Sequence, residues 1–246
     1  LVMHFAIGEE RAEPGTASLL DHDFGGDAAI VIEPSTLQIT TCQRGVAFYD
    51  ITLRGEACHA GYPQVGRNPL LDLPQVLGEL GEYEAEVVTR GHALLPSGTC
   101  TPTMIHAGTQ PNSVPATCHL TLDRRLLPGE TPERELEVLR GRLAHIPGVE
   151  ITLRPHYFFP GEVDPDSEIV DVLRASSAQV TGRTPEVVGA PYATDCSDFV
   201  QRGIPAVVFG PGNPAECHCV NERLAVHQLR EGSVILAQAT LDFLAA

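Results

Sequence analysis

The chain has 246 residues, of which 43% are hydrophobic and 5% aromatic, and its 32 acidic residues against 16 basic ones give a formal charge of −16. That length suits one large domain or two small ones with a real core. The charge argues against a nucleic-acid surface, which needs clustered Lys and Arg, and no apolar run is long enough for a spanning helix or shaped like a secretory leader. The expectation is a cytoplasmic protein that binds neither nucleic acid nor membrane. Seven cysteines, an odd number in a chain of this size, read as reduced thiols rather than a disulfide framework.

The chain opens on "LVMHFAIG", a continuous apolar run ahead of Glu9 and Glu10. It reads as a buried strand, and a chain that starts inside one is expected to be the C-terminal part of something longer. Two similar runs follow: "AAIVI" leads into Glu33-Pro34, and "IPAVVFG" leads into a Pro/Gly loop and His218. Continuous runs of this kind suit strands buried on both faces of a parallel sheet. In open α/β sheets ligands collect at the carboxyl ends of such strands. Three separate segments therefore converge, on this reading, at one sheet edge.

Between these runs the texture changes. "RGVAFYDITLRG" alternates as a half-exposed strand does, and "NPLLDLPQVLGELGEY" reads as a helix interrupted at Pro74. "TPTMIHAG" and "VPATCHLTLDRRL" read as two further strands. "TPERELEVLRGRLA" reads as a helix with Thr131 as N-cap and Pro132 at its first position, and "VEITLR" as a closing strand. The order βαββαβ predicts a four-stranded sheet with two helices on one face, a ferredoxin-like α+β domain over 44–155. It interrupts a mostly parallel α/β domain, with helices on both faces, made of 1–43 and 156–246. Helices are predicted over 167–181, ended by Gly182, and over 227–244.

The chemistry has bland and functional readings. Acidic residues favour a helix start, so Glu9-Glu10 can simply open a helix; alternatively one carboxylate binds a metal and its neighbour is a general base. Glu33 is a strand-end turn residue or a ligand. His218 lies between Cys217 and Cys219, and in an extended segment its neighbours would point away from it. The expectation is that His218 is a ligand and both cysteines are packing residues.

Together these stretches resemble the M20 metallopeptidases, a group that includes acetylornithine deacetylase, succinyl-diaminopimelate desuccinylase, aminoacylase and glutamate carboxypeptidase. The likeness is carried in order by "GEERAEPG", "IEPST", "RGEACHAGYPQVGRNP", "QPNSVPATCHLTLDRRLLPGE", "TDCSDFVQRGIPAVVFGPG" and "HCVNE". It implies a zinc-binding α/β domain with an inserted lid that dimerises. It also implies two zinc ions, with cobalt or manganese as alternatives, sharing a bridging water. By position, Glu9 is the implied general base, Glu10 and His218 ligands of one zinc, and Glu33 a ligand of the other. His59 would stabilise the oxyanion, and Asn112 and Arg125 would hold the substrate's carboxylate. For Arg125, an ion pair with Asp123 is the rival reading. The implied reaction is hydrolysis of an amide in an N-acyl amino acid or dipeptide-like substrate. The group also needs an upstream His-x-Asp and a bridging aspartate, and no His-x-Asp occurs in this chain. The chain is therefore expected to be inactive by itself; the alternative is a dead fragment or paralogue that only dimerises.

Overall fold

The computed structural model describes residues 1–245. The chain forms two compact units, Leu1–Gly45 with Phe158–Ala246, and Val46–Tyr157. The first unit begins with α1 (Gly15–Asp21), β1 (Ala29–Val31) and β2 (Ile39–Gln43). The second contains β3 (Gly45–Arg54), β4 (Cys58–His59), α2 (Leu73–Val87), β5 (Thr99–Ala107), β6 (Ser113–Val114), β7 (Thr117–Leu126), α3 (Pro132–Leu143) and β8 (Val149–Leu153). The chain then returns to the first unit through β9 (Gly161–Glu162), α4 (Glu168–Thr181), β10 (Val187–Ala190), α5 (Cys196–Gln201), β11 (Ala206–Val208) and α6 (Val226–Ala245).

The sheet of the first unit runs β1-β11-β2-β10, with β9 paired to β2. β1 and β11 are apolar on both faces because both faces are covered. Ala29, Val31, Ala206 and Val208 pack with Cys196, Phe199 and Val200 of α5. Ile30 and Val207, one residue out of step, pack on the other face with Ile169 and Leu173 of α4 and Ile235 and Ala239 of α6. This alternation is the period of two that any strand imposes.

The sheet is mostly parallel, as expected: β1–β11 and β2–β10 pair parallel, while β11 meets β2 antiparallel at Val208 and Thr40. The link of residues 32–38 is too short for the crossover that returning parallel to β1 would need. One expectation is corrected: residues 1–8 form no strand. No described strand pairs with them, and Leu1, Met3, Phe5 and Ile7 remain 68–84% exposed. An apolar run without a hydrogen-bonding neighbour has nothing to make it a strand.

The second unit has the sheet order β5-β7-β3-β8 with β4–β6 as a separate ribbon. With β3 first in the chain, this is the strand order of the βαββαβ reading. Ala47, Tyr49, Ile51 and Leu53 of β3 and Leu120 and Leu122 of β7 are buried against Val76, Leu80 and Tyr83 of α2 and Leu139 and Leu143 of α3. Pro74 lies in the first turn of α2, where its missing N–H costs nothing, so it starts the helix rather than interrupting it. Thr131 caps α3, its side chain accepting from the Arg134 N–H at 3.3 Å.

One inward position of β7 is charged. Arg124 is fully buried, and its guanidinium meets Glu135 at 3.1 Å and Glu130 at 2.9 Å. It also lies 5.8 Å from the Tyr83 ring centroid. A buried charge survives only when paired in this way. No helix among the described residues is long and apolar enough to cross a membrane.

Candidate functional site

Glu9 and Glu10 occupy a single 3-10 turn, Glu9–Arg11, rather than the start of α1, which begins at Gly15. Gly8 makes the turn possible. Its φ of 86° is left-handed, and its carbonyl accepts the N–H groups of Arg11 and Glu13, both at 3.0 Å.

Glu33 follows β1 and is fixed from three sides. Its N–H donates to the Val31 carbonyl at 3.1 Å. The Tyr192 hydroxyl donates to the carbonyl of Pro34 at 3.0 Å. The chain after β11 passes so closely that a Cβ on Gly210 would stand 2.6 Å from the Glu33 carbonyl oxygen. Only a glycine permits that approach.

His218 arrives from the loop after β11 with a left-handed φ of 59°. The Glu222 carboxylate accepts its N–H, which holds the turn. Its Nε2 lies 3.1 Å from Oε2 of Glu10, and both side chains are about three-quarters exposed. Because His218 is not extended, the alternation expected around it fails. Cys217 and Cys219 are exposed rather than packed. The negative charges of Glu222, Glu33 and Glu10 reach Cys217 and, after burial, help push its thiol up.

Asp195 was not legible as a site residue, although it repeats the pattern of an acid after a short strand, here β10. It is buried, and Thr16 donates to its carboxylate at 2.6 Å. Burial raises the Asp195 carboxyl, and the Thr16 hydrogen bond opposes that rise. Glu9 is pushed up to about 7, first by burial and then by the charges of Glu33, Asp195 and Glu10, with His218 opposing. Glu33 is also raised, by burial and by Glu10 and Asp195. Four carboxyls and one imidazole thus share one field.

The oxygen and nitrogen donors are of the kind that hold divalent cations. As a complete site they do not fit: among the described residues no three His, Cys, Asp or Glu groups converge closely enough to hold one ion. Glu10 and His218 form a two-donor edge, with Glu33 close enough to feel Glu10's charge.

The remaining candidates belong to the second unit. His59 ends β4, paired in register with Ser113 of β6, and its Nδ1 accepts the Gly61 N–H at 2.9 Å. The Ala60 N–H donates to the Asn112 carbonyl at 2.9 Å, so the β4–β6 ribbon brings His59 and Asn112 into adjacent loops. Both are exposed. Arg125, on β7, makes a two-pronged pair with Asp123 at 2.8 and 3.0 Å.

Residues 41–149 match the M20 peptidase dimerisation domain. The chain is 28% identical to an acetylornithine deacetylase of Myxococcus xanthus, over 99% of this chain and 65% of that protein. It is 26% identical to an N-formyl-4-amino-5-aminomethyl-2-methylpyrimidine deformylase of Halalkalibacterium halodurans, over 93% of this chain and 60% of that protein. It therefore spans somewhat less than two thirds of the length of these relatives. Among solved structures it superposes on an M20 family metallo-carboxypeptidase of Sulfolobus solfataricus with a TM-score of 0.70 at 20% identity, covering 94% of this chain and 67% of that one. Against aminopeptidase PepT of Bacillus cereus the TM-score is 0.73 at 19% identity, covering 95% of this chain and 62% of that one.

Proposed function

We propose that this chain, which resembles the M20 metallopeptidases and deacylases over nearly its whole length, is the larger part of a metal-dependent hydrolase that cleaves the amide bond of an N-acyl amino acid or a small dipeptide-like substrate. The observation that carries the reading is the approach of His218 to Glu10 at 3.1 Å, from opposite ends of the chain, beside the raised carboxyls of Glu9 and Glu33. The relatives that it matches include an acetylornithine deacetylase and a deformylase.

In this reading Glu10, Glu33 and His218 would be ligands completed by residues outside this chain, and zinc is the expected ion, with two per complete site and cobalt or manganese as alternatives. A divalent ion held there would supply Lewis acidity and lower the pKa of water. Glu9 accepts the proton of the attacking water and passes it towards the leaving amine. His59 donates to the developing oxyanion, and Asn112 and Arg125 hold the substrate carboxylate. Arg125 must then leave or share its pair with Asp123, and a guanidinium fork can do so because it presents several donors. The second unit serves as lid and homodimer contact, consistent with its match to a dimerisation domain. Seven free thiols fit a cytoplasmic location.

With only a two-donor edge formed, this chain alone is expected to bind metal weakly and not to turn over. The same observation favours a second reading, a chain that only dimerises. The test is release of free amine from a panel of N-acetyl amino acids, for the complete protein and for this chain, before and after chelation and readdition of zinc. Activity of the complete protein, lost on chelation and restored by zinc, is the expected result. No hydrolysis by either leaves the dimerising reading.

A further inference from the structure

A cavity of about 360 Å³ lies in the first unit, away from the acid cluster: none of Glu9, Glu10, Glu33, Asp195 or His218 lines it. Its wall is built from the end of α4 and the segment after it, the start of α6, and Leu37 and its neighbours. These elements bring opposite electrostatic ends together. The last turn of α4 presents carbonyl oxygens, which favour a cation, and the first turn of α6 presents N–H groups, which favour an anion.

The side chains put both signs on each wall, Arg183 and Glu186 after α4, His227 and Glu231 on α6. Arg183, just beyond the Gly182 cap of α4, and His227, in the first turn of α6, are donors for an anionic group. Glu186 and Glu231 are acceptors for a cationic one. Leu37 and Ile235 add apolar wall. Arg183 and Glu231 touch each other through one contact of 3.3 Å, and the Arg183 side chain is 74% exposed. An exposed single-contact pair is worth little, so each partner can be given up to a ligand at small cost. No partner of the His227 ring or the Glu186 carboxylate occurs among the described residues.

We propose that this cavity binds a small zwitterion of the α-amino-acid class, its carboxylate on Arg183 and His227 and its ammonium on Glu186 and Glu231. A charge-assisted contact at each end answers the two-signed wall, which a simple anion or a simple amine would satisfy only by half. The inference does not depend on amide hydrolysis at the acid cluster.

The experiment titrates L-glutamine, acetate and methylammonium into the whole chain, followed by calorimetry and by backbone amide shifts. Saturable binding of L-glutamine is expected, with shifts concentrated in residues 181–186 and 226–231 and unchanged in His218→Ala. Acetate and methylammonium should each bind at least about threefold more weakly, and Arg183→Ala and Glu231→Gln should each weaken L-glutamine by about two- to fivefold. Arg183 is too exposed for its loss to unfold the unit, and the shift map needs no variant. Absence of saturable L-glutamine binding overturns the proposal, as does acetate binding equally well, shifts centred on His218, or binding that survives both substitutions.

Discussion

His218 Nε2 and Glu10 Oε2 stand 3.1 Å apart although 208 residues separate them in the chain. The 3-10 turn beyond Gly8 carries one of them and the loop after β11 carries the other. If this pair is a ligand edge, His218→Ala should lower divalent-metal binding, while Cys217→Ser and Cys219→Ser should leave it unchanged. Calorimetric zinc titration of the three variants of the complete protein decides it. Metal loss in a cysteine variant would make the exposed thiols ligands.

His59 is expected to act in the partner's site if the second unit pairs with its twin. The test mixes His59→Ala chains with Glu9→Gln chains of the complete protein and lets subunits exchange. Random pairing should return about a quarter of wild-type activity, because half the dimers are mixed and each holds one intact site. Mixed dimers without activity would place His59 in its own chain's site or outside catalysis.

Much of this was legible in the sequence because the period of two survives burial. Tyr49, Ile51 and Leu53 in β3 and Leu120 and Leu122 in β7 alternate as expected and share one core. The strand assigned to residues 1–8 failed because pairing needs a neighbour, which an apolar pattern alone cannot supply. The turn at His218 was hidden because a left-handed non-glycine residue has no strong signal in sequence. Asp195 is hidden for another reason: its partner Thr16, which donates to it, lies 179 residues away in the chain.

Arg124 tests the core of the second unit. Arg124→Ala would leave Glu135 only the longer contact of Arg90 at 3.4 Å inside the fold, and breaking a buried pair costs about 3–5 kcal/mol. Urea unfolding should show a loss of that size. A change below about 1 kcal/mol would mean that water reaches Glu135 and compensates it.

The Asp50–Arg154 pair gives a pH dependence. The Arg154 hydrogen bond holds the Asp50 carboxyl below the ordinary aspartate range; burial opposes it, and the Thr121 hydrogen bond adds a smaller downward pull. A depressed carboxyl stabilises the fold above its unfolded pKa, and the contribution is lost as pH falls through the folded value. Both side chains are about 40% exposed, so the pair is worth about 1 kcal/mol or less. Arg154→Ala should therefore cost that much stability near about pH 7 and almost nothing well below about pH 3. Equal losses at both would assign the effect to packing of the arginine stem.

The central claim is that Glu9 takes the proton while its neighbours hold the metal, and Glu9→Gln in the complete protein tests it most directly. The amide keeps the shape of the side chain but cannot accept a proton. Zinc content and turnover of an N-acetyl amino acid should be measured on the same preparation. The account predicts unchanged zinc and a fall in kcat of about a hundred- to ten-thousand-fold. Loss of zinc from Glu9→Gln, with Glu10→Gln retaining it, would contradict the account and exchange the roles of the two glutamates.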